Sequence, residues 1–326
     1  MSRALLFPGQ GAQTVGMGKD LYEAWPAVRE LYDEADALVD FDLKRISFEG
    51  PEGELTRTDV SQPAIVVASL AALRALESEL GGPIPGVIAA CGMSLGEYTA
   101  LAWSGALSLG DALHLVIQRG RFMQDCCEAT PSGMTSVMGL DRAGCEAVLA
   151  EAGEGDKVGV ANDNSARQVV LSGEQEALDR VAAKAKEAGA RRLFPLTVAG
   201  AYHSKLMAPA GERLADELAR VKITAPRVPV IANVLAAAYG SESAVDVGGE
   251  IAARLVEQVS GTVRWRESMS RLSELGVTEA VELGPGGVLK GLMRQNVRAI
   301  TTHSAMTADE VRAVAVLLAG DQGENS

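Results

Sequence analysis

The stretch GMSLG at residues 92–96 is a G-x-S-x-G pattern. The apolar run GVIAACG before the serine predicts a buried strand, and LGEYTALAWSGAL after it predicts a helix. A serine at such a strand-to-helix turn has the setting of a nucleophile elbow, where helix N–H groups stabilise negative charge. We therefore predict that Ser94 is a nucleophile and that the Leu95 N–H donates to an oxyanion. A purely structural turn is the alternative.

A serine nucleophile needs a general base, and the chain has three histidines. His114 lies inside a predicted amphipathic helix, and His303 has no supporting context near the C-terminus. His203, in VAGAYHSKLMAP, follows a predicted strand, where functional residues of α/β sheets concentrate. We predict His203 as the base, against the alternative of a capping or merely exposed histidine. No acidic partner is evident, and a main-chain carbonyl can orient the imidazole instead.

Alternating strand and helix patterns surround these residues. RALLF, GVIAACG and VPVIANV read as buried strands, QPAIVVASLAALRALESEL reads as a long helix, and EAVELGPGGVLKGLM reads as strand, turn and helix. This order predicts an α/β fold with helices packed on a parallel sheet. We assign residues 1–127 and 199–326 to one large catalytic domain.

The pattern changes near residue 130. From there the chain reads strand, helix, strand, strand, helix, strand, ending at RRLFPLTVAG. This β-α-β-β-α-β order is that of a ferredoxin-like module. The sequence therefore predicts a small inserted α+β domain over residues 128–198.

Composition limits the classes of function. The net charge of −13 argues against a nucleic-acid binder. Four cysteines without a C-x-x-C pair favour a reduced, cytoplasmic setting. The N-terminal apolar run is too short for a signal peptide, and no membrane span is expected. Three histidines and scattered cysteines make no recognisable metal spacing, so we expect no metal and no bound cofactor.

Seven ordered motifs resemble those of malonyl-CoA:acyl carrier protein transacylases, which are similar to the acyltransferase domains of fatty acid and polyketide synthases. The motifs are FPGQGAQ, QPA, GMSLGEY, QRGRFMQ, NSARQVVLSG, AYHSKLM and ELGPGGVL, and the resemblance extends over about residues 4–295. The resemblance implies an α/β-hydrolase-like large domain with a ferredoxin-like insert. It also implies cytoplasmic lipid metabolism, with a coenzyme A thioester and acyl carrier protein as partners.

The resemblance also implies roles for individual residues. Ser94 would take malonyl from malonyl-CoA, and the phosphopantetheine thiol of the carrier protein would then take it from Ser94 in a ping-pong reaction. His203 matches the base, and the Gln10 N–H would share the oxyanion hole with Leu95. The main-chain carbonyl of Gln258, in EQVSGTVRW, matches the group that holds the histidine.

Arg119 lies in the predicted helix ALHLVIQRGRFMQ at the edge of its apolar stripe. An inward-facing arginine needs a carboxylate, because an unpaired buried charge is costly, and its planar fork binds a carboxylate bidentately. In the family this position binds the free carboxylate of malonyl. The alternative is a solvated helix arginine.

Two residues depart from the family pattern. Met93 stands where the family usually has histidine, and Tyr202 stands where malonyl-selective members commonly have phenylalanine. Both positions shape the acyl pocket. The bulk of Tyr202 should disfavour a 2-methyl branch, although one methyl is worth only about 1–3 kcal/mol of discrimination.

A basic stripe is the candidate docking surface for an acidic carrier protein. Lys290, Arg294 and Arg298 recur every four residues and share one face if the segment is helical; Lys205 is a further candidate. A solvated helix face is the alternative.

Two other functions stay open: an acyl hydrolase on the same fold, and a non-catalytic carrier-protein-binding member. Arg119 argues against the first, and intact Ser94, His203 and Gln10 argue against the second. A monomer is expected.

Overall fold

A computed structural model of the chain describes residues 1–241 and 246–323. The described residues form two compact units. The first comprises Met1–Ile117, Thr224–Ile231 and the described part of Ser270–Ser326. The second comprises Gln118–Ile223 and the described part of Ala232–Met269.

The first unit contains a parallel sheet in the order β7-β2-β1-β8-β9. Its strands are β1 (Arg3–Phe7), β2 (Val87–Gly92), β7 (Val230–Ile231), β8 (Glu279–Leu283) and β9 (Thr301–Ala305). Strands β1 and β8 are buried along their whole length, as expected for a parallel sheet covered on both faces. The α/β prediction is therefore confirmed. The predicted strand VPVIANV is shorter in the structure and keeps only its two central residues.

The sheet of the first unit is accompanied by helices. They are α1 (Lys19–Ala24), α2 (Pro26–Leu38), α3 (Leu43–Glu49), α4 (Glu52–Leu55), α5 (Thr58–Leu80), α6 (Gly96–Trp103), α13 (Val288–Asn296) and α14 (Ala308–Gly323). By length and composition α5 could cross a membrane, but 83% of its most apolar window is buried inside the protein. It packs against α2, α6 and α14 and is the central helix of this unit.

The second unit contains an antiparallel sheet in the order β4-β5-β3-β6. Its strands are β3 (Ser132–Met138), β4 (Val158–Ser165), β5 (Gln168–Glu174) and β6 (Arg192–Pro195), with helices α8 (Arg142–Ala152) and α9 (Gln175–Glu187) between them. Apolar residues of both helices and of the strands form one core. This is the predicted β-α-β-β-α-β arrangement.

The remaining elements supply other site residues. They are α7 (Leu109–Ala129), a 3₁₀ turn (Lys205–Met207), α10 (Ala208–Leu218), α11 (Val247–Ser260) and α12 (Trp265–Glu274). The second unit is thus larger than the predicted insert, because residues before 128 and after 198 belong to it as well. The boundaries at 128 and 198 stay a prediction.

Candidate active site

Ser94 lies in the turn between β2 and α6. Its φ of 51° is left-handed, which is uncommon for a residue with a Cβ. Leu95 is the N-cap residue of α6, and the Glu97 N–H donates to the Ser94 main-chain oxygen at 3.1 Å. Ser94 is half-buried. The strand, the strained turn and the helix together form the arrangement of a nucleophile elbow.

Two glycines make this turn possible. A Cβ on Gly92 would lie 1.9 Å from main-chain atoms of Gly96. A Cβ on Gly96 would lie 2.1 Å from the main-chain oxygen of Phe7. Both obstacles are backbone, which cannot move aside as the end of a flexible side chain can. The G-x-S-x-G spacing is therefore required by close packing of the backbone.

The loop after β1 lies against the same turn. The Met93 N–H donates to the Phe7 oxygen at 3.0 Å, and a Cβ on Gly9 would lie 2.5 Å from the Met93 oxygen. Gln10 follows directly and is half-buried; its Oε1 accepts from Gln62 Nε2 at 3.4 Å. The sequence alone indicates no role for the fully buried Gln62, although this residue begins the QPA motif.

The second unit brings together His203, Arg119 and Gln258. His203 Nδ1 lies 2.8 Å from the main-chain oxygen of Gln258, and Arg119 Nη2 donates to Gln258 Oε1 at 3.2 Å. Gln258 is fully buried, Arg119 is 1% exposed and His203 is 5% exposed. His203 also has a left-handed φ of 57°. One glutamine on α11 therefore contacts both the imidazole and the guanidinium.

The electrostatics of this cluster favour a neutral histidine. Burial lowers the pKa of His203, the positive charge of Arg119 lowers it further, and the resulting value is about 4. Main-chain hydrogen bonds to Gln258 and Gly261 act in the opposite direction. With Nδ1 donating to the Gln258 carbonyl, the neutral ring has its lone pair on Nε2 at neutral pH. This is the form that a general base requires.

Tyr202, next to the histidine, is 6% exposed. Its side chain forms a hydrogen bond with the Cys127 thiol. Burial raises the pKa of this thiol to about 11, and the hydrogen bond to Tyr202 acts in the opposite direction. A Cβ on Gly200 would lie 2.5 Å from the Cys127 sulfur, so the loop before His203 packs tightly on α7. A phenylalanine could not make the hydroxyl contact.

The predicted site residues thus fall into two groups. The first unit brings together Gln10, Met93, Ser94 and Leu95, and the second brings together Arg119, Tyr202, His203 and Gln258. Of the other histidines, His114 is exposed, and His303 Nε2 lies 2.9 Å from Glu279 Oε1, while Arg3 pairs with Oε2 of the same carboxylate.

The predicted docking residues are exposed, but the three cations of the predicted stripe do not all lie on one helix. Lys290 and Arg294 lie on α13, but this helix ends at Asn296, so Arg298 follows it. All three nevertheless line one cleft of about 410 Å³. Lys205 belongs to the other unit and pairs with Asp156 at 2.9 Å.

Within residues 1–241 and 246–323, no three His, Cys, Asp or Glu side chains form a cluster that could hold a metal ion.

The chain resembles known proteins along nearly its whole length. The malonyl CoA-acyl carrier protein transacylase of Escherichia coli K12 is 40% identical over 315 residues, which cover 97% of this chain and 98% of the relative. The protein of the same name from Bacillus subtilis 168 is 39% identical over 324 residues, 99% of each chain. These relatives confirm the resemblance that the seven motifs indicated.

Solved structures of transacylases are also similar to this chain. The malonyl CoA-acyl carrier protein transacylase of Coxiella burnetii has a TM-score of 0.91 at 35% identity and covers 98% of both chains. A malonyl-transacylase solved in complex with a type II PKS acyl-carrier protein also has a TM-score of 0.91 at 35% identity, covering 97% of this chain and 100% of that one. Residues 4–321 match the acyl transferase domain. The chain carries both the turn with Ser94 and the buried His203, and it belongs to the acyl transferase domain family.

Proposed function

We propose that the protein moves a malonyl group from malonyl-CoA to the phosphopantetheine thiol of an acyl carrier protein, through a covalent ester on Ser94. The observation that carries this proposal is the buried Arg119 guanidinium in the same hydrogen-bonded cluster as a neutral His203. A fixed cation suits an acyl group that ends in a carboxylate. The relatives named above are transacylases of this kind.

In the first half-reaction, His203 Nε2 takes the proton of Ser94 Oγ while the oxygen attacks the thioester carbonyl. The carbonyl oxygen becomes an oxyanion that the N–H groups of Gln10 and Leu95 stabilise, each by about 3 kcal/mol. The carbon–sulfur bond then breaks, and the imidazolium returns its proton to the coenzyme A sulfur. The Gln258 carbonyl holds the ring in the tautomer that this transfer needs.

The second half-reaction runs the same steps with a different thiol. The phosphopantetheine thiol gives its proton to His203, and its sulfur attacks the Ser94 ester. Ser94 Oγ leaves with the proton. The net reaction exchanges one thioester for another, so it consumes no other reactant.

Three side chains are proposed to select the acyl group. Arg119 binds the malonyl carboxylate, whereas acetyl would leave this arginine without its substrate partner. Met93 and Tyr202 contribute to the acyl pocket. The bulk of Tyr202, fixed by its contact with Cys127, disfavours a 2-methyl branch.

Intact mass spectrometry tests the proposal. The protein is mixed with malonyl-CoA, acetyl-CoA or methylmalonyl-CoA in separate reactions, before and after carrier protein is added. We expect a malonyl adduct that is absent in Ser94→Ala and that passes to the carrier protein. Loss of the adduct to water, with none on the carrier protein, would instead support the acyl hydrolase.

We further propose that the cleft lined by Lys290, Arg294 and Arg298 receives the acidic carrier protein. These cations are exposed, and among the described residues none of them forms an ion pair within 4.0 Å. A local basic surface is needed because the chain as a whole carries a charge of −13. The pathway served is fatty acid or polyketide synthesis.

Charge reversal tests this docking surface. Lys290→Glu with Arg294→Glu should raise KM for carrier protein by about tenfold at low salt, with KM for malonyl-CoA unchanged. Lys222→Glu, an exposed reversal in the second unit, is the matched control. Equal effects on both substrates, or none, would exclude the surface.

The proposed reaction uses no resident cofactor, because malonyl-CoA and the carrier-bound thiol are both substrates. We propose a cytoplasmic location, which is supported by the four free cysteines Cys91, Cys126, Cys127 and Cys145.

A further inference from the structure

Resting on the proposed function, we infer that the side chain of Gln258 is a positioning residue for Arg119 and sets the preference for a carboxylated acyl donor. This role is separate from that of the Gln258 main chain, which holds His203. One residue would then align both the base and the specificity-determining cation.

The contact between the two side chains restricts the arginine. Arg119 lies on α7 and Gln258 on α11, 139 residues apart in sequence, and Arg119 Nη2 donates to Gln258 Oε1 at 3.2 Å. Both side chains are 1% exposed or less. A buried arginine has several rotatable bonds, and a fixed acceptor on another helix restricts them. The guanidinium is therefore aligned before any substrate arrives, which reduces the cost of ordering it on binding.

The neutral charge of the glutamine amide also matters. A carboxylate at this position would form an ion pair with Arg119 and reduce its attraction for a second carboxylate. An apolar side chain would remove an acceptor from a buried guanidinium. A neutral amide avoids both effects, because it accepts the hydrogen bond and leaves the positive charge in place. Glutamine is thus the residue type that orients the arginine without competing with malonyl.

The two functions of Gln258 can be separated by mutation. The bond to His203 comes from the main-chain oxygen, which every substitution retains. Changing the side chain should therefore alter the response to the donor's carboxylate and leave the base in place. Loss of the whole cluster would instead lower the rates with all donors together.

The experiment compares Gln258→Glu and Gln258→Met with the wild type. The rate of acyl-enzyme formation is measured against concentration for malonyl-CoA and acetyl-CoA. The ratio compared is kcat/KM for malonyl-CoA divided by kcat/KM for acetyl-CoA. We expect Gln258→Glu to lower this ratio at least ~10-fold, mainly by raising KM for malonyl-CoA. Gln258→Met, uncharged and of similar length, should lower it about 3-fold to 10-fold. The pH profile of acetyl transfer should keep its acid limb in Gln258→Met.

Two controls make the result unambiguous. Gln124→Glu adds the same charge on α7, five residues from Arg119 and beside Glu128, and should leave the ratio within about twofold of the wild type. Thermal unfolding checks each variant, and Gln258→Met carries the test if Gln258→Glu does not fold. An unchanged ratio in a folded Gln258 variant overturns this inference. Failure of the wild type to form any malonyl adduct overturns the proposed function instead.

Discussion

Ser94 and His203 both have left-handed backbones, with φ of 51° and 57°, yet they are held in different ways. The serine turn is held by contacts close in sequence and by one neighbouring strand, through the missing Cβ atoms of Gly92 and Gly96. The histidine is held by Gln258, 55 residues away along the chain. Local backbone strain of this kind, of order 1–3 kcal/mol per residue, persists only where the surroundings impose it.

The serine turn and the cluster of His203, Arg119 and Gln258 should therefore respond differently to mutation. The serine turn depends on the absence of Cβ atoms, so an added methyl group should disrupt it. The histidine cluster depends on burial and on a nearby charge, so a change of charge or pH should alter it.

The largest effect should come from the nucleophile itself. Ser94→Ala removes the attacking oxygen and leaves the turn in place, so malonyl transfer should fall by roughly 10⁶-fold, the scale seen when other serine nucleophiles are removed. The rate of transfer to carrier protein measures this. Ser108→Ala, at an exposed serine that bonds Asp111, is the matched control. Near-normal transfer by Ser94→Ala would mean that another residue carries the acyl group.

The same contrast explains what could be predicted from the sequence. The strand, turn and helix around Ser94 can be predicted from the sequence because an apolar run, two glycines and a serine lie within a few residues of one another. The β-α-β-β-α-β order can be predicted for the same reason, because the hydrophobic patterns that indicate each element are local. Strand β9 was missed because its residues Thr301–Ala305 are mostly polar and partly exposed, which is typical of an edge strand.

Two long-range contacts between side chains could not be predicted from the sequence. The hydrogen bond between Arg119 and Gln258 joins residues 139 positions apart, and that between Gln62 and Gln10 spans 52 positions. The second unit also includes Gly200–Ile223 and the described part of Ala232–Met269. Their sequences have ordinary α/β patterns, and tertiary packing groups them with the antiparallel sheet.

The second largest effect should come from Gly92→Ala. The new Cβ would lie 1.9 Å from the main chain of Gly96, so either the strand or α6 must shift. We expect the free energy of unfolding to fall by about 3 kcal/mol or more, together with loss of acylation. Urea unfolding followed by circular dichroism measures the stability.

Gly291→Ala is the matched glycine substitution. Gly291 lies inside α13, and an added Cβ there meets nothing within 4 Å. Alanine in a helix interior should stabilise by about 0.5–1 kcal/mol. If Gly92→Ala were as stable as Gly291→Ala, close packing would not be what holds the serine turn.

Acid stability tests the burial of His203. Its pKa is about 4 in the folded protein against an ordinary value of 6.5, so the unfolded chain binds a proton between these values and the folded protein does not. Stability from this group is complete above pH 6.5 and is lost as the pH falls towards 4. The stability of the wild type relative to His203→Gln should therefore drop by roughly 3 kcal/mol between pH 8 and pH 4.

Urea unfolding of both proteins at several pH values gives this difference. His114→Gln removes an exposed histidine and serves as the control. A constant difference between wild type and His203→Gln would mean that the folded protein accepts the proton as readily as the unfolded chain.

Arg119→Met gives the sharpest test of charge in the cluster of His203, Arg119 and Gln258, although its effect should be smaller than those of Ser94→Ala and Gly92→Ala. Loss of the carboxylate partner should lower kcat/KM for malonyl-CoA by about 100-fold. It also removes the positive charge that lowers the pKa of His203, so that pKa should rise. The acid limb of acetyl transfer should therefore move to higher pH, because the base becomes protonated sooner as acid is added. Arg121→Met on the same helix is the control, and an acid limb that stays in place or moves to lower pH in Arg119→Met would show that the guanidinium does not act on the base.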